Sequence, residues 1–270
     1  MRYNNEGKSR ESRGGKQAPT SPRGTSALQT VSENDIVFVN IEGVPELSSF
    51  DNLSADMQRL WDSASAAWRP AGVSAGEAYA EAGTMAEFGK VACITAGVIR
   101  HREGEQDPFF ITSTYSGDSE RDVLCGFAEM VGNFLSTPAQ DHMLCGHGVL
   151  RAGIPFFARR LIVNNIQPPA LFDRRGRRKV ADSVIDTADY WAFTETPGGQ
   201  APAELLGRVL GLDVERDDFD PRVAADMYHA SADMAPLIAR SERKALLYAQ
   251  ILRRFRGEGV ILPDRVIRKQ

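Results

Sequence analysis

Cysteine is scarce: Cys93, Cys125 and Cys145 are widely spaced, each is flanked by apolar residues, and none sits in a CxxC pair. That argues against a disulfide framework or a zinc cluster, and the three read as reduced core residues. No stretch of about 18 uncharged apolar residues is available to cross a membrane, and the polar N-terminus lacks the apolar segment of a signal peptide. The expected location is the cytoplasm, with no membrane partner. Gly-rich phosphate loops, nucleophile elbows, HExxH motifs and zinc-ligand spacings are absent as well. There is little net charge of either sign, −4 in total, which neither supports nor excludes a nucleic-acid partner. The charge is uneven, however. Residues 1–30 hold six Lys or Arg against Glu6 and Glu11, and the stretch from Asp213 to Asp220 is strongly acidic.

What is present is a chain of 270 residues, 42% hydrophobic and 25% charged, sufficient to bury a core as one large domain or two small ones. Residues 1–32 have almost no large apolar side chains and cannot offset the entropy of ordering, so they read as a disordered basic tail. Such a tail is either a solvated leader or an arm that touches a partner. Ile36-Val37-Phe38-Val39 is a short apolar run suited to a strand buried on both faces, hence central in a sheet. Helical spacing follows over 54–68 and again over 74–86. Strands at 91–99 and 109–115 flank the polar turn 101–107 and form a hairpin. Ser119 opens a helix whose stripe is Val123, Leu124, Phe127, Met130, Val131 and Phe134, stopped by Pro138. A strand at 143–146, a helix at 154–165, the basic loop 174–179 and a strand or turn at 184–187 come next. Helices near 202–211, 221–230 and 233–256 precede a C-terminal tail, 261–270. A mixed sheet flanked by helices accounts for this order and limits the fold to an α/β or α+β class.

Several segments together resemble one family, the DEDD 3'-5' exonucleases of ribonuclease H-like fold, in the branch of predicted exonucleases related to family B DNA polymerases. The matching pieces are Val37-Phe38-Val39-Asn40-Ile41-Glu42-Gly43-Val44-Pro45, Glu81-Ala82-Gly83 with Glu87-Phe88-Gly89-Lys90-Val91, and Cys145-Gly146-His147 with Ile154-Pro155-Phe156-Phe157-Ala158-Arg159-Arg160. Asp186-Thr187-Ala188-Asp189-Tyr190-Trp191, Leu205-Leu206 with Leu210-Gly211-Leu212, and Asp217-Asp218 with Asp220 continue the match in order. The likeness covers roughly residues 35 to 256. It implies a ribonuclease H-like α/β domain over 33–260 and a chemistry in which carboxylates hold two Mg²⁺ or Mn²⁺ ions, one activating water and one stabilising the leaving oxygen.

This chain departs from the family at each anchor. The leading Asp of Asp-x-Glu-Thr is Asn40, with Glu42 the remnant carboxylate. The second Asp corresponds to Gly153. The Tyr and Asp placed at i and i+4 on the last helix correspond to Arg240 and Lys244. One carboxylate against two cations would make the pocket about +1 and repel divalent metal. No metal cofactor and no intact catalytic set are therefore expected.

The leading expectation is a nucleic-acid-binding pseudo-exonuclease, with two alternatives beside it. Arg240 and Lys244, with His147 and the loop cations Arg174, Arg175, Arg177, Arg178 and Lys179, can grip a single-stranded DNA or RNA backbone without cutting it. Alternatively, Lys244 pairs with Glu42 in a closed pocket and the chain is a scaffold or interaction subunit of a larger assembly. The third is a metal-dependent exonuclease with a rearranged site. Asp186 and Asp189, present in the family beside its intact ligands, read as a structural strand end, and His147 has a packed reading next to its functional one.

Overall fold

The computed structural model describes residues 27–135, 142–169, 172, 180–193, 201–231 and 233–269. Six strands form one mixed sheet: β1 (Ile36–Pro45), β2 (Gly89–Arg100), β3 (Phe109–Ser116), β4 (Met143–Gly146), β5 (Val184–Asp186) and β6 (Val266–Lys269). The order across the sheet is β5-β4-β1-β2-β3-β6. β1 to β3 run antiparallel to one another, β4 is parallel to β1, β5 to β4, and β6 to β3. The fold is thus α/β with β1 central, as its continuous apolar run requires.

Helices cover both faces. α1 (Ala27–Thr30) and α2 (Ala55–Ser65) precede α3 (Glu120–Leu135), α4 (Gly153–Val163), α5 (Thr187–Ala192), α6 (Ala203–Val209), α7 (Pro221–Asp226) and α8 (Ala235–Phe255). Alternation along β1 divides the core between the two faces. Val37 and Val39 join Val123, Leu124, Phe127, Ile154 and Phe157 on the α3–α4 side. Ile36 and Phe38 join Ala245, Tyr248, Ala249 and Leu252 on the α8 side.

The structure departs from the sequence reading in several places, and one is Cys125 of α3, read as a core residue but exposed, while Cys93 and Cys145 are buried. The stretch expected as a helix over 74–86 is a 3-10 helix, Glu77–Thr84. In the turn that leads into it, Ser74 Oγ accepts from Glu77 N–H at 3.2 Å and Glu77 Oε2 accepts from Ser74 N–H at 2.8 Å. At its far end Gly83 touches the backbone of Gly43 and Val44 too closely for any side chain. The strand or turn expected over 184–187 is a strand that ends at Asp186, and Thr187 instead opens a helix, Thr187–Ala192, capped by Asp186, which accepts from Ala188 N–H at 3.0 Å. The residues expected as a C-terminal tail include β6, whose Arg268 donates to Glu242 at 2.8 Å. The N-terminal tail gives way before residue 32, since Leu28 of α1 is buried in the α8-side core. Residues 1–26, Pro138 and the 174–179 loop lie outside the described residues.

Candidate functional site

The alternation that sends Ile36 and Phe38 toward α8 continues to Asn40 and Glu42, so both polar side chains also point at that helix. They are buried, each 7% exposed. α8 meets them with residues at helical spacing: Arg240 and Lys244 stand at i and i+4, and Ser241 and Tyr248 line the adjoining strip. Residues 198 to 208 positions apart in sequence thereby make one cluster.

Asn40 is satisfied on both ends of its amide. Its Nδ2 donates to Glu42 Oε1 at 2.7 Å and to Ser241 Oγ at 3.0 Å, while Oδ1 accepts from the Tyr248 hydroxyl at 2.9 Å. An ionised Asp cannot donate and would set a second negative charge against Glu42. Asn40 therefore serves as a donor to Glu42 here rather than as a weakened metal ligand. Burial, and then the charge of Glu42, push the Tyr248 hydroxyl well above its ordinary pKa, which keeps it protonated and donating. Burial and Glu42 likewise push the nearby Cys93 thiol up to about 12, leaving it inert.

Arg240 is the hub. Its Nη1 donates to Glu42 Oε2 at 2.5 Å, and its Nε and Nη2 grip Asp217 at 2.8 Å each. Its guanidinium also lies 4.6 Å from the centre of the Phe219 ring. Lys244 Nζ approaches the same two carboxylates more loosely, at 3.5 Å from Glu42 and 3.7 Å from Asp217. Burial works against both charges of the tighter pair, yet each partner overcomes it for the other. The hydrogen bonds and charge of Arg240 hold Asp217 below its ordinary range, and Asp217 with Glu42 raises Arg240.

Asp217 corrects the expected charge. Two carboxylates face two cations, so the cluster is neutral rather than +1. The pairing of Glu42 expected from Lys244 is made more closely by Arg240. Gly153 does not join the cluster, because a Cβ there would meet Val149 at 3.2 Å and Ile41 at 3.6 Å, and Ile41 packs on the α3–α4 side.

His147 follows β4 and stacks on Tyr248, with ring centres 6.1 Å apart. Its Nε2–H donates to the Ala201 carbonyl at 2.8 Å, and its Nδ1 lies 3.0 Å from Thr187 Oγ1. Burial lowers its pKa despite that carbonyl and Asp186, so the ring is a neutral packing element that seats Tyr248. Asp186 accepts from the backbone N–H groups of Gly148, Leu150 and Ala188, and Asp189 pairs with Arg151 at 3.0 Å. Both carboxylates have structural work. The cations Arg174, Arg175, Arg177, Arg178 and Lys179 lie outside the described residues.

The two divalent ions implied by the resemblance do not fit this donor set. Both Glu42 oxygens face cations, and Asp217 is held bidentately by Arg240. Hard cations need free anionic oxygens. Among the described residues no three His, Cys, Asp or Glu side chains converge as a metal site. Sequence reasoning missed Asp217, Ser241 and Tyr248. The spacing of 240, 244 and 248 on one helix carries a signal for Tyr248, whereas nothing local places Asp217 beside Arg240.

No protein-family model matches the chain, and no curated protein matches it.

Arg240→Ala is expected to destabilise the protein by about 2 kcal/mol, less than for a fully buried pair because Lys244 still faces both carboxylates. Chemical denaturation of the variant checks this. The contribution of Asp217 has a definite pH sign. Its folded pKa is depressed below the ordinary 3.8, so the stability it adds is present above that value and lost as pH falls through the lower one.

Proposed function

We propose that this chain is a catalytically silent protein of the 3'-5' exonuclease-like kind that acts as a non-catalytic interaction subunit of a larger assembly. The observation that carries the reading is Arg240, which bridges Glu42 and Asp217 where the family resemblance would have metal ions. A neutral, internally paired cluster has little affinity for divalent metal and little unpaired positive charge for a phosphate. The strand order β3-β2-β1-β4-β5, with three antiparallel strands followed by two parallel ones, supports the ribonuclease H-like ancestry. Exposed apolar side chains offer contact area: Phe193 is 87% exposed, and Leu205 and Val209 stand out from α6.

The nucleic-acid reading stays as the second one, resting on the five cations among residues 174–179. Three measurements on the full chain separate the possibilities. Manganese titrated calorimetrically should give no saturable heat, a 3'-labelled single-stranded DNA should stay intact, and binding of that DNA should be undetectable at low salt. Salt-sensitive DNA binding that disappears when the 174–179 cations are neutralised would replace the interaction reading with the second. Manganese-dependent nucleotide release, abolished by Glu42→Gln, would overturn both.

A further inference from the structure

β6 covers only part of the edge it lies against. β3 is eight residues long and rich in aromatic and β-branched side chains, which makes its outer edge a strong template for strand addition. β6 pairs in parallel with Phe110, Ile111, Thr112 and Ser113, and among the described residues Thr114, Tyr115 and Ser116 have no ladder partner on that side. Behind the edge stands a fixed acceptor. Glu242 of α8 is 7% exposed, and the Thr112 and Thr114 hydroxyls lie 3.3 and 3.5 Å from its Oε1. Its charge is met by Arg268 of β6, whose Nε donates to Oε2 at 2.8 Å while that side chain stays largely in solvent, 60% exposed. A buried carboxylate in such a socket needs a cation from whichever strand lies there.

The hold on β6 itself is light. The chain is pinned as far as Ile261, which is buried and bonded twice to the Gln250 side chain, at 2.9 Å through its N–H and 2.8 Å through its carbonyl. Beyond it Leu262 is exposed, Val266 and Ile267 are half-buried, and Arg268 and Lys269 are exposed. The other anchor, Arg265, pairs with Glu105 of the β2–β3 turn and lies 4.7 Å from the centre of the Phe109 ring. Ion pairs near the surface and a four-residue ladder with little apolar burial place β6 at the low-stability end of the fold. Release at Ile261 leaves the α8-side core closed.

We propose that the outer edge of β3 is a docking edge for an extended segment of a partner protein, laid parallel to β3 with a basic side chain on Glu242, and that β6 is the resident strand which this segment displaces. Ladder hydrogen bonds supply the affinity and the Glu242 socket the specificity. Charge complementarity defines the partner: Glu105 and Glu242 take Arg265 and Arg268, three positions apart, so a fitting segment reads basic-apolar-apolar-basic. A second copy of this chain would bring only the contacts each chain already makes within itself, at the cost of association. A longer foreign strand gains the ladder positions of 114–116. The proposal deepens the interaction reading by naming a partner class. The edge shares no residue with the Glu42–Arg240 cluster, so peptide docking can fail while the metal and DNA measurements still favour an interaction subunit, and the reverse.

The probe is a fluorescent peptide with the sequence of residues 265–269 continued by Thr-Val-Thr, added to the full chain and followed by anisotropy and by hydrogen exchange. Binding should be saturable, should speed exchange over 266–269, and should keep 110–116 protected. A glutamine in place of the peptide arginine that faces Glu242 should weaken binding at least about tenfold, the loss of a charged hydrogen bond. Arg268→Gln in the full chain should have the opposite sign and tighten peptide binding about fivefold or more, because the resident strand competes less well. Absence of saturable binding by both chains, indifference to the peptide arginine, or weaker binding by Arg268→Gln overturns the proposal. Binding that leaves exchange over 266–269 unchanged overturns it as well, and that readout needs only the wild-type chain. Light scattering that shows a dimer of the full chain, dissociated by the peptide, would assign the edge to a second copy and overturn the partner reading.

Discussion

Replacing Arg160 with Met should destabilise the protein by about 3–5 kcal/mol, the range for breaking a buried ion pair from one side. Arg160 lies on α4 and is 4% exposed. Its guanidinium joins three separate parts of the chain: Nε and Nη2 donate to Glu120 of α3 at 2.8 and 2.6 Å, Nη1 to the Ala86 carbonyl at 2.9 Å, and Nη2 also to Glu46 at 2.8 Å. Burial disfavours its charge, but Glu120 and Glu46 raise its pKa regardless. Met fills similar volume and supplies none of these donors. It leaves Glu120, itself 9% exposed, with an uncompensated charge, although Glu120 keeps hydrogen bonds from Val91 N–H and Asn164. Urea unfolding of Arg160→Met against wild type measures the loss. A cost below about 1 kcal/mol would show that Glu120 escapes to solvent. The double variant Arg160→Met with Glu120→Gln should recover part of the stability, because it removes the stranded charge.

Gly43→Ala should cost upward of about 3 kcal/mol through overpacking that no side chain can relieve. A Cβ at Gly43 would lie 2.1 Å from the Gly83 carbonyl oxygen, and one at Gly83 would lie 2.8 Å from the Gly43 oxygen. Gly89 closes on Ala82 and Gly83 in the same way. Backbone meets backbone at this crossing, just after the register shift between Glu42 and Gly43, so accommodation must move β1 or the 3-10 helix. The melting temperature should fall by about 6–12 °C for a domain of this size. Gly132→Ala on α3 is the control. A Cβ there meets nothing within 4 Å, and the change should be neutral or stabilising by up to about 1 kcal/mol. Equal effects at the two sites would refute the close-approach account. The crossing also explains why a glycine follows Glu42, whatever the ancestry of the motif.

Legibility in the sequence followed the range of the interactions. β1 was readable as a central strand because Ile36-Val37-Phe38-Val39 is apolar on both faces, and α3 because its stripe repeats at helical spacing. β6 was not readable. Four residues are too short for a periodic signal, and their strand state depends on β3 lying alongside and on Glu242 receiving Arg268. The 3-10 helix Glu77–Thr84 escaped for a related reason: its small residues suit an α-helix locally, but the close crossing with β1 shapes it.

Sequence alone determined a mixed α and β class, the central position of β1, and the placement of Asn40 and Glu42 on one strand face with Arg240 and Lys244 on one helix face. Those are consequences of periods two and 3.6, which act over a few residues. Only the tertiary structure decided that the two faces meet, that Asp217 closes the cluster to neutrality, that Tyr248 and Ser241 satisfy Asn40, and that Gly153 stays apart on the α3–α4 side. Periodicity says which side chains share a face. Which charges end up within hydrogen-bond reach is set by how α8 and the 213–220 segment pack on the sheet, and that is a property of the whole fold.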